Sequence, residues 1–141
     1  MKVIILNTEF FIGNIINLKL DLSERLMILG YEINNVSNEG YVNAYRIKCG
    51  RGDGFHYWYS PFEITNENNN VGKEDIFYHG EYFLGDYIRL KCRDAEFIIT
   101  EIYINKIKDF IVSDYDLRCN DGKGNLVFLK PIELNKSEIL T

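Results

Sequence analysis

The densest group of residues able to recognise a ligand is an aromatic run, Phe55-His56-Tyr57-Trp58-Tyr59, which contains the chain's one tryptophan. Rings of this kind hold a methylated cation by cation–π attraction, stack on a nucleic-acid base, or contact a peptide. If the run is a strand, Phe55, Tyr57 and Tyr59 point to one side of it. His56 and Trp58 then point to the other side. One side must therefore face solvent, the other half of the chain or a partner, and packing within the protein is the competing interpretation.

Positive charge precedes the aromatic run. Arg46, Lys48 and Arg51 lie on the strand and loop before it, and Tyr45 adds another ring. A surplus of Tyr and Trp is typical of protein interfaces, whereas cations beside rings also suit a single-stranded nucleic acid. The predicted binding residues are Tyr45, Arg51, Phe55, His56, Tyr57, Trp58 and Tyr59.

No arrangement of residues indicates catalysis. Asp114 and Asp116 would share one strand face, but no matched partner for acid–base work accompanies them, so we interpret them as a solvated acidic strand. Cys49 or Cys119 would need a nearby base to act as a nucleophile, and the sequence shows none. We therefore expect a non-enzymatic protein. An enzyme would need a cleft between the two halves that holds His56 beside a carboxylate.

Metal and cofactor sites are not expected either. His56 and His79 lie in different halves of the chain, and neither has a second ligand at a zinc-binding spacing. The glycine-rich segment at residues 50–54 lacks the Lys-Ser/Thr ending and the following helix of a phosphate loop. Its Arg51-Gly52-Asp53 tripeptide is interpreted as the tip of a hairpin.

The charge of the chain is negative and uneven. Sixteen Lys and Arg stand against twenty-one Asp and Glu, a net charge of −5. Residues 1–64 contribute −1 and residues 74–141 contribute −4. Proteins that bind duplex DNA through its phosphates normally carry excess Lys and Arg. The charge therefore favours a protein partner with a basic surface, because opposite charge accelerates encounter.

The chain repeats its own pattern. Residues 9–19 return 72 positions later, so that Gly13 is matched by Gly85. After two residues are lost the spacing becomes 70, and the chain's two prolines, Pro61 and Pro131, are matched as well. Because Gly and Pro are placed for backbone reasons that composition does not mimic, we interpret the repeat as an internal duplication.

Each copy is predicted to hold five or six short strands. The many aromatic residues suit strands, and the glycine-rich segments at 50–54 and 120–124 suit hairpin loops. Short strands at regular spacing favour small antiparallel barrels. The expected organisation is a first barrel at residues 1–64, a linker at residues 65–73, and a second barrel at residues 74–141 that ends in a short C-terminal tail.

Two segments connect this pattern with a known family. FIGNIINLK at residues 11–19 and FLGDYIRLK at residues 83–91 resemble the F-x-G-D-x-V-x-L opening of SH3-like barrels of the KOW and Tudor-like kind. Asn14 departs from this motif in the first copy, where the second copy has Asp86. The resemblance implies an all-β fold of two tandem SH3-like barrels. It implies no particular ligand, because such barrels bind proteins, peptides and nucleic acids alike.

Cysteine usage and hydropathy indicate the compartment. Cys49, Cys92 and Cys119 form no CxxC motif and are odd in number. Cys49 and Cys119 are repeat partners, so each is expected as a small buried residue in its own half. We expect a reduced, cytoplasmic location. No run approaches eighteen apolar residues, so we expect no membrane partner.

These observations favour a binding protein that acts through a protein partner. A small acidic inhibitor or immunity-type protein of bacterial or phage origin fits the composition. The alternative is binding of single-stranded nucleic acid or RNA by stacking of bases on the first barrel.

Overall fold

The computed structural model describes residues 2–67, 72–90, 96–131 and 137–140. These residues form an all-β protein, which confirms the predicted fold class at that level. No helix capable of crossing a membrane occurs in the described part of the chain. The strands are β1 (Lys2–Thr8), β2 (Ile15–Leu18), β3 (Asp21–Val36), β4 (Val42–Gly50), β5 (His56–Tyr59), β6 (Ile64–Asn66), β7 (Glu74–Gly80), β8 (Tyr87–Leu90), β9 (Glu96–Lys108), β10 (Ile111–Asn120), β11 (Leu126–Leu129) and β12 (Ser137–Leu140).

The strands follow one order in both halves. In the first half β2 pairs with β3, β3 with β4 and β4 with β5, and β6 returns to pair with the free side of β2. In the second half β8, β9, β10 and β11 pair in the same succession, and β12 returns to β8. Each half is therefore a curled meander closed at one side by its last strand.

The two halves are joined by two antiparallel seams. β1 pairs with β7 along its whole length, with Ile5 opposite Phe77 at the centre. β3 pairs with β9 over three positions, with Glu32 opposite Tyr103 at the centre. A bridge from Ile5 to Tyr41 links β1 to the residue before β4. The path β1–β7–β10–β9–β3–β4 thus returns to β1, and all twelve strands belong to one sheet.

The seam strands β1 and β7 are equivalent in length and in burial. Each has seven residues, and in each the third, fifth and seventh are buried. This alternation is what a strand with one face on the core requires. The opposite face of both strands, which includes Val3, Ile5, Phe77 and His79, is turned away from the core.

The core is shared by both halves, and a tyrosine stabilises each half from a different strand. The Tyr31 hydroxyl on β3 donates a hydrogen bond to the Phe10 carbonyl. In the second half Tyr78 on β7 donates to the Tyr82 carbonyl at 2.9 Å. A Cβ built on Gly80 would lie 2.0 Å from the Tyr78 hydroxyl oxygen, so the glycine leaves the space that this ring occupies. Burial raises the pKa of both hydroxyls above the usual tyrosine range.

Two strands lie in segments that were expected as the linker and the tail. β6 ends at Asn66, inside the segment expected as a linker, and residues 68–71 of that segment lie outside the described residues. The expected C-terminal tail supplies β12, which pairs with β8. Since the two seams place both halves in one sheet, the division into two separate barrels stays a prediction.

Gly30 lies where β3 meets β9, and its substitution tests the second seam. A Cβ at this position would lie 2.5 Å from the backbone oxygen of Ile104. We therefore expect Gly30→Ala to lower the free energy of unfolding by about 1–3 kcal/mol in urea titrations, because the two strands must separate to admit the methyl group. Gly72→Ala is the control, since among the described residues no atom beyond its chain neighbours lies within 4 Å of its added Cβ. Equal stabilities of the two variants would contradict a close backbone approach at Gly30.

Candidate functional site

The seven predicted binding residues occupy three different places. Arg51, Phe55 and His56 line one groove beside the β4–β5 hairpin. Trp58 lies on the outer face of the sheet, where it contacts the second half. The remaining residues, Tyr45, Tyr57 and Tyr59, are partly buried and pack against the core.

The groove has a volume of about 490 Å³ and is called the hairpin groove below. Apolar side chains supply most of its surface, and two arginines and a histidine stand among them. Phe55 is 69% exposed and Met27 is 43% exposed, so both offer apolar area to a ligand. The lining includes Ile15, Met27, Leu29, Phe55, His56, Arg25 and Arg51.

Local sequence shapes the loop that borders the hairpin groove. Gly52 and Gly54 have φ angles of 85° and 88°, a region that glycine adopts without strain. Between them, the Asp53 carboxylate accepts a hydrogen bond from the backbone N–H of Phe55 at 3.0 Å. The loop therefore turns within a few residues, as the three glycines of the sequence predict, and leaves the Phe55 ring exposed.

The arginines of the hairpin groove are held by carboxylates of the same chain. Arg51 forms an ion pair with Glu24, and its guanidinium lies 4.8 Å from the centre of the Tyr57 ring. Arg25 pairs with Glu67 at 2.9 Å. Three of these four side chains are 44–63% exposed and Glu24 is 26% exposed, and exposed ion pairs contribute only about 0–1 kcal/mol. A carboxylate from a ligand can therefore replace either partner at little cost.

Trp58 joins the two halves of the protein. Its ring is edge-on to Tyr103 of β9, with the ring centres 5.7 Å apart. The Arg46 guanidinium lies 5.4 Å from the Trp58 ring and pairs at 2.8 Å with Glu32, whose side chain is only 4% exposed. On the far side, Phe128 lies 5.6 Å from Tyr103. Trp58 therefore agrees with the interpretation of the aromatic run as packing between the two halves.

Tyr45 is also tied into the structure. Its ring is edge-on to Tyr31 at 6.2 Å, and its hydroxyl shares a hydrogen bond of 2.9 Å with Thr8. Burial raises the pKa of this hydroxyl. Tyr45 also borders a second cavity, of about 480 Å³, beside the highly exposed Phe62. A binding role for Tyr45 stays a prediction.

The cysteines considered as nucleophiles are buried, and the aspartate pair considered for acid–base work is bonded to other side chains of the protein. Cys49 and Cys119 are fully buried, and burial raises the pKa of both thiols to about 12. Asp116 pairs with Lys130 at 2.7 Å and accepts a hydrogen bond from the Asn105 amide at 2.8 Å. Within the described residues no three His, Cys, Asp or Glu side chains are grouped to hold a metal ion.

One surface feature has no counterpart in the sequence predictions. Ile5 and Phe77 face each other across the first seam, and each is bridged on its outer side by a further apolar residue. The resulting line across four neighbouring chain segments is called the seam row below. The seam row consists of Tyr41, Ile5, Phe77 and Ile111. Strand alternation predicts that each of these residues points to one face of its own strand. Only the pairing of strands that are distant in sequence places the four residues side by side.

Comparison with known proteins adds no family. No protein-family model matches the chain, and neither a curated protein nor a solved structure is significantly similar to it. The geometry of the hairpin groove therefore carries the functional argument.

Trp58→Ala tests the structural role of this ring. We expect the free energy of unfolding to fall by about 1–3 kcal/mol, because the substitution removes the contact with Tyr103 across the second seam and the contact with Arg46 of β4. Thermal and urea unfolding measure the change. Phe62→Ala is the control, since that ring is 84% exposed and its loss should change stability by less than about 0.5 kcal/mol.

The buried thiols give a second test. In a Cys92→Ser background, we expect Cys49 and Cys119 to react with a thiol reagent only when the protein unfolds. Their folded pKa of about 12 exceeds the unfolded value of about 8.5. The stability that this difference contributes is complete below pH 8.5, and it is lost as the pH rises towards 12. Rapid labelling of the native protein at pH 8 would contradict the burial of these side chains.

Proposed function

We propose that the protein is a non-enzymatic binding protein that acts through a partner protein, and that the hairpin groove is its contact site. The observation that carries this proposal is the combination of exposed apolar surface with two arginines in one concave site. Aromatic residues, methionine and arginine are enriched at protein interfaces. Phe55, Met27 and Arg51 present this set together.

The proposal includes a fold: two SH3-like barrels that arose by internal duplication. The shared strand order supports it, with a last strand that pairs with the first of the meander in both halves. The turns support it as well, since Gly13 and Gly85 have φ angles of 94° and 88° at matched positions of the two opening segments. The fold alone does not identify a ligand, so the class of ligand must be inferred from the groove.

The groove favours an apolar side chain flanked by carboxylates. Phe55, Met27 and Leu29 would surround the apolar group, and burying it would supply most of the free energy of binding. Arg25 and Arg51 would receive the flanking carboxylates, with which arginine forms two-pronged hydrogen bonds. The partner would thus replace Glu67 and Glu24.

The groove is specific to the first half. At the position matched to Phe55 the second half has Asn125, and at the position matched to Arg51 it has Asp121. The Asp121 carboxylate accepts hydrogen bonds from the Lys123 and Asn125 backbones and from the Asn125 amide, which hold the pKa of Asp121 below its usual range. The second loop is therefore stabilised by its own hydrogen bonds, and it provides a matched control within the same protein.

Two observations favour protein binding over the alternatives. Nucleic-acid binding would need excess positive charge, whereas the chain has a net charge of −5 and Arg46, one of the cations near the first hairpin, is already paired with the buried Glu32. Catalysis by a thiol would need a reactive thiolate, whereas burial disfavours ionisation of Cys49 and Cys119. A small inhibitor or immunity-type protein is compatible with a groove that captures one segment of its target.

Fluorescence polarisation with defined peptides tests the proposal. The probes are labelled ten-residue peptides with a central Leu or Phe flanked by Asp and Glu, and the same peptides flanked by Lys. We expect the acidic peptides to bind the full-length protein and Phe55→Ala or Arg51→Gln to weaken binding at least tenfold. Asn125→Ala, the matched change in the second half, should leave the affinity unchanged.

Other outcomes would overturn the proposed site. Preference for the lysine-flanked peptides, which the net charge of −5 would favour, places the contact away from the two arginines. Binding of a labelled single-stranded oligonucleotide that weakens steeply with salt, together with no peptide binding, would replace the protein partner by a nucleic acid.

A further inference from the structure

A further cavity, called the Phe110 pocket below, lies where the opening segment of the first half meets the turn between β9 and β10. Its volume is about 320 Å³. Both halves of the chain contribute to it, so the pocket depends on their packing against each other. The lining residues are Phe11, Ile12, Ile107, Asp109 and Phe110.

Phe110 occupies a backbone position that favours glycine. It follows Asp109 in a two-residue turn in which both φ angles are positive, 52° and 62°. Such turns strongly prefer glycine at the second position. The first half has Gly40 there, with a φ angle of 93°.

Backbone hydrogen bonds show that Gly40 and Phe110 are equivalent. The Ile5 amide donates a hydrogen bond of 2.8 Å to the Gly40 carbonyl. The matched amide, that of Phe77, donates one of 2.8 Å to the Phe110 carbonyl. The second half therefore keeps a phenylalanine in a strained conformation that the first half gives to glycine, and strain of this kind occurs at ligand-binding positions.

The Phe110 pocket combines aromatic rings with a negative charge. The rings of Phe11 and Phe110 have centres 6.3 Å apart and planes 80° apart, and Phe110 is 47% exposed. A cation can therefore lie within about 6 Å of both ring centres, the range of cation–π attraction. Asp109 is exposed, and its carboxylate has no hydrogen bond or ion pair with the part of the chain that the structure describes.

The second half provides an internal example of a cation at the matched ring. Phe83, which corresponds to Phe11, has the Lys2 ammonium 5.4 Å from the centre of its ring. The same ammonium forms an ion pair with the Asp86 carboxylate. An alkylammonium group thus lies beside a phenylalanine ring and a carboxylate within this protein.

At the place of Lys2 the other half has a carboxylate. β1 and β7 are matched strands of seven residues, and the first residue is Lys2 in β1 and Glu74 in β7. The neighbouring cations lie elsewhere, since Lys73 borders the cavity beside Phe62 and Lys108 does not line the Phe110 pocket. The charged side chain that lines this pocket is Asp109, so the pocket complements a cation from outside the chain.

We propose that the Phe110 pocket binds a lysine side chain of a partner protein, whose ammonium takes the place that Lys2 occupies in the second half. Phe11 and Phe110 attract the ammonium through their rings, and Asp109 accepts its hydrogen bonds. Ile12 and Ile107 pack against the alkyl stem. The pocket shares no residue with the hairpin groove, so this site does not rest on the proposed function.

Nuclear magnetic resonance titration of the ¹⁵N-labelled full-length protein tests the proposal. The probes are a five-residue peptide with a central lysine between alanines and the same peptide with Nε-acetyl-lysine. A contact of one side chain is weak, so the peptides are titrated to about 20 mM. We expect the lysine peptide to shift the amide signals of Ile12, Ile107 and Phe110. The acetylated peptide, which lacks the charge, should leave them unchanged.

Substitutions within the pocket assign the binding to its residues. Asp109→Asn and Phe110→Gly should each weaken binding at least fivefold. Because glycine suits this turn, the Phe110→Gly variant keeps the fold, and circular dichroism checks this. Glu39→Gln, the matched change in the turn of the first half, should leave the affinity unchanged.

Substitutions at the matched strand ends test the internal example. Glu74→Lys should place a lysine of the protein itself over Phe11 and thereby abolish the shifts caused by the lysine peptide. Lys2→Ala should vacate the other ring, so that the lysine peptide also shifts the amide signal of Phe83.

Three results would overturn the proposal. The first is equal shifts with the two peptides, and the second is binding that Asp109→Asn does not weaken. The third is free cadaverine that binds as tightly as the lysine peptide does, which would replace the partner protein by a small alkylamine.

Discussion

Antiparallel pairing between the two halves is the interaction on which the structure depends. Without β7, the strand β1 would present a row of unpaired backbone groups, and unpaired buried amides and carbonyls are costly. The seams at Ile5–Phe77 and Glu32–Tyr103 satisfy these groups and place both halves on one core. They also explain the position of Trp58, which reaches Tyr103 across the second seam and stacks against Arg46, the partner of the buried Glu32.

The shared core allows the two halves to differ in detail while keeping the same architecture. In the first half the large ring comes from β3, as Tyr31, and β1 supplies the smaller Leu6. In the second half it comes from β7, as Tyr78, and β9 supplies the smaller Ile102. Each arrangement hydrogen-bonds the same carbonyl position, because a close-packed interior tolerates an exchange that conserves volume and leaves no polar group unpaired.

Surface chemistry diverges further than the core does. The first hairpin carries Arg51 and Phe55, which leave a concave apolar site with cations, whereas the second carries Asp121 and Asn125, which bond to each other. The seam row draws on a different part of the molecule, where β1 and β7 meet their neighbours. The hairpin groove and the seam row are thus two separate surfaces.

The sequence alone located the features that depend only on neighbouring residues, such as the faces of a strand and a glycine-rich turn. Alternation placed Trp58 on the face opposite Tyr57 and Tyr59, and the glycines at 52 and 54 located the hairpin. Glycine does not mark every tight turn, because other residues can also adopt a positive φ angle. Asp109 and Phe110 have φ angles of 52° and 62°, and they form the turn before β10.

Contacts between distant strands were decided by the tertiary structure alone. The grouping of Phe55 and His56 with Met27 and Arg25, and the alignment of Tyr41 with Ile5, Phe77 and Ile111, depend on register between segments far apart in sequence. Alternation assigns a residue to a face but does not specify which distant residue stands beside it, because that choice is made by the backbone hydrogen bonds of the whole sheet.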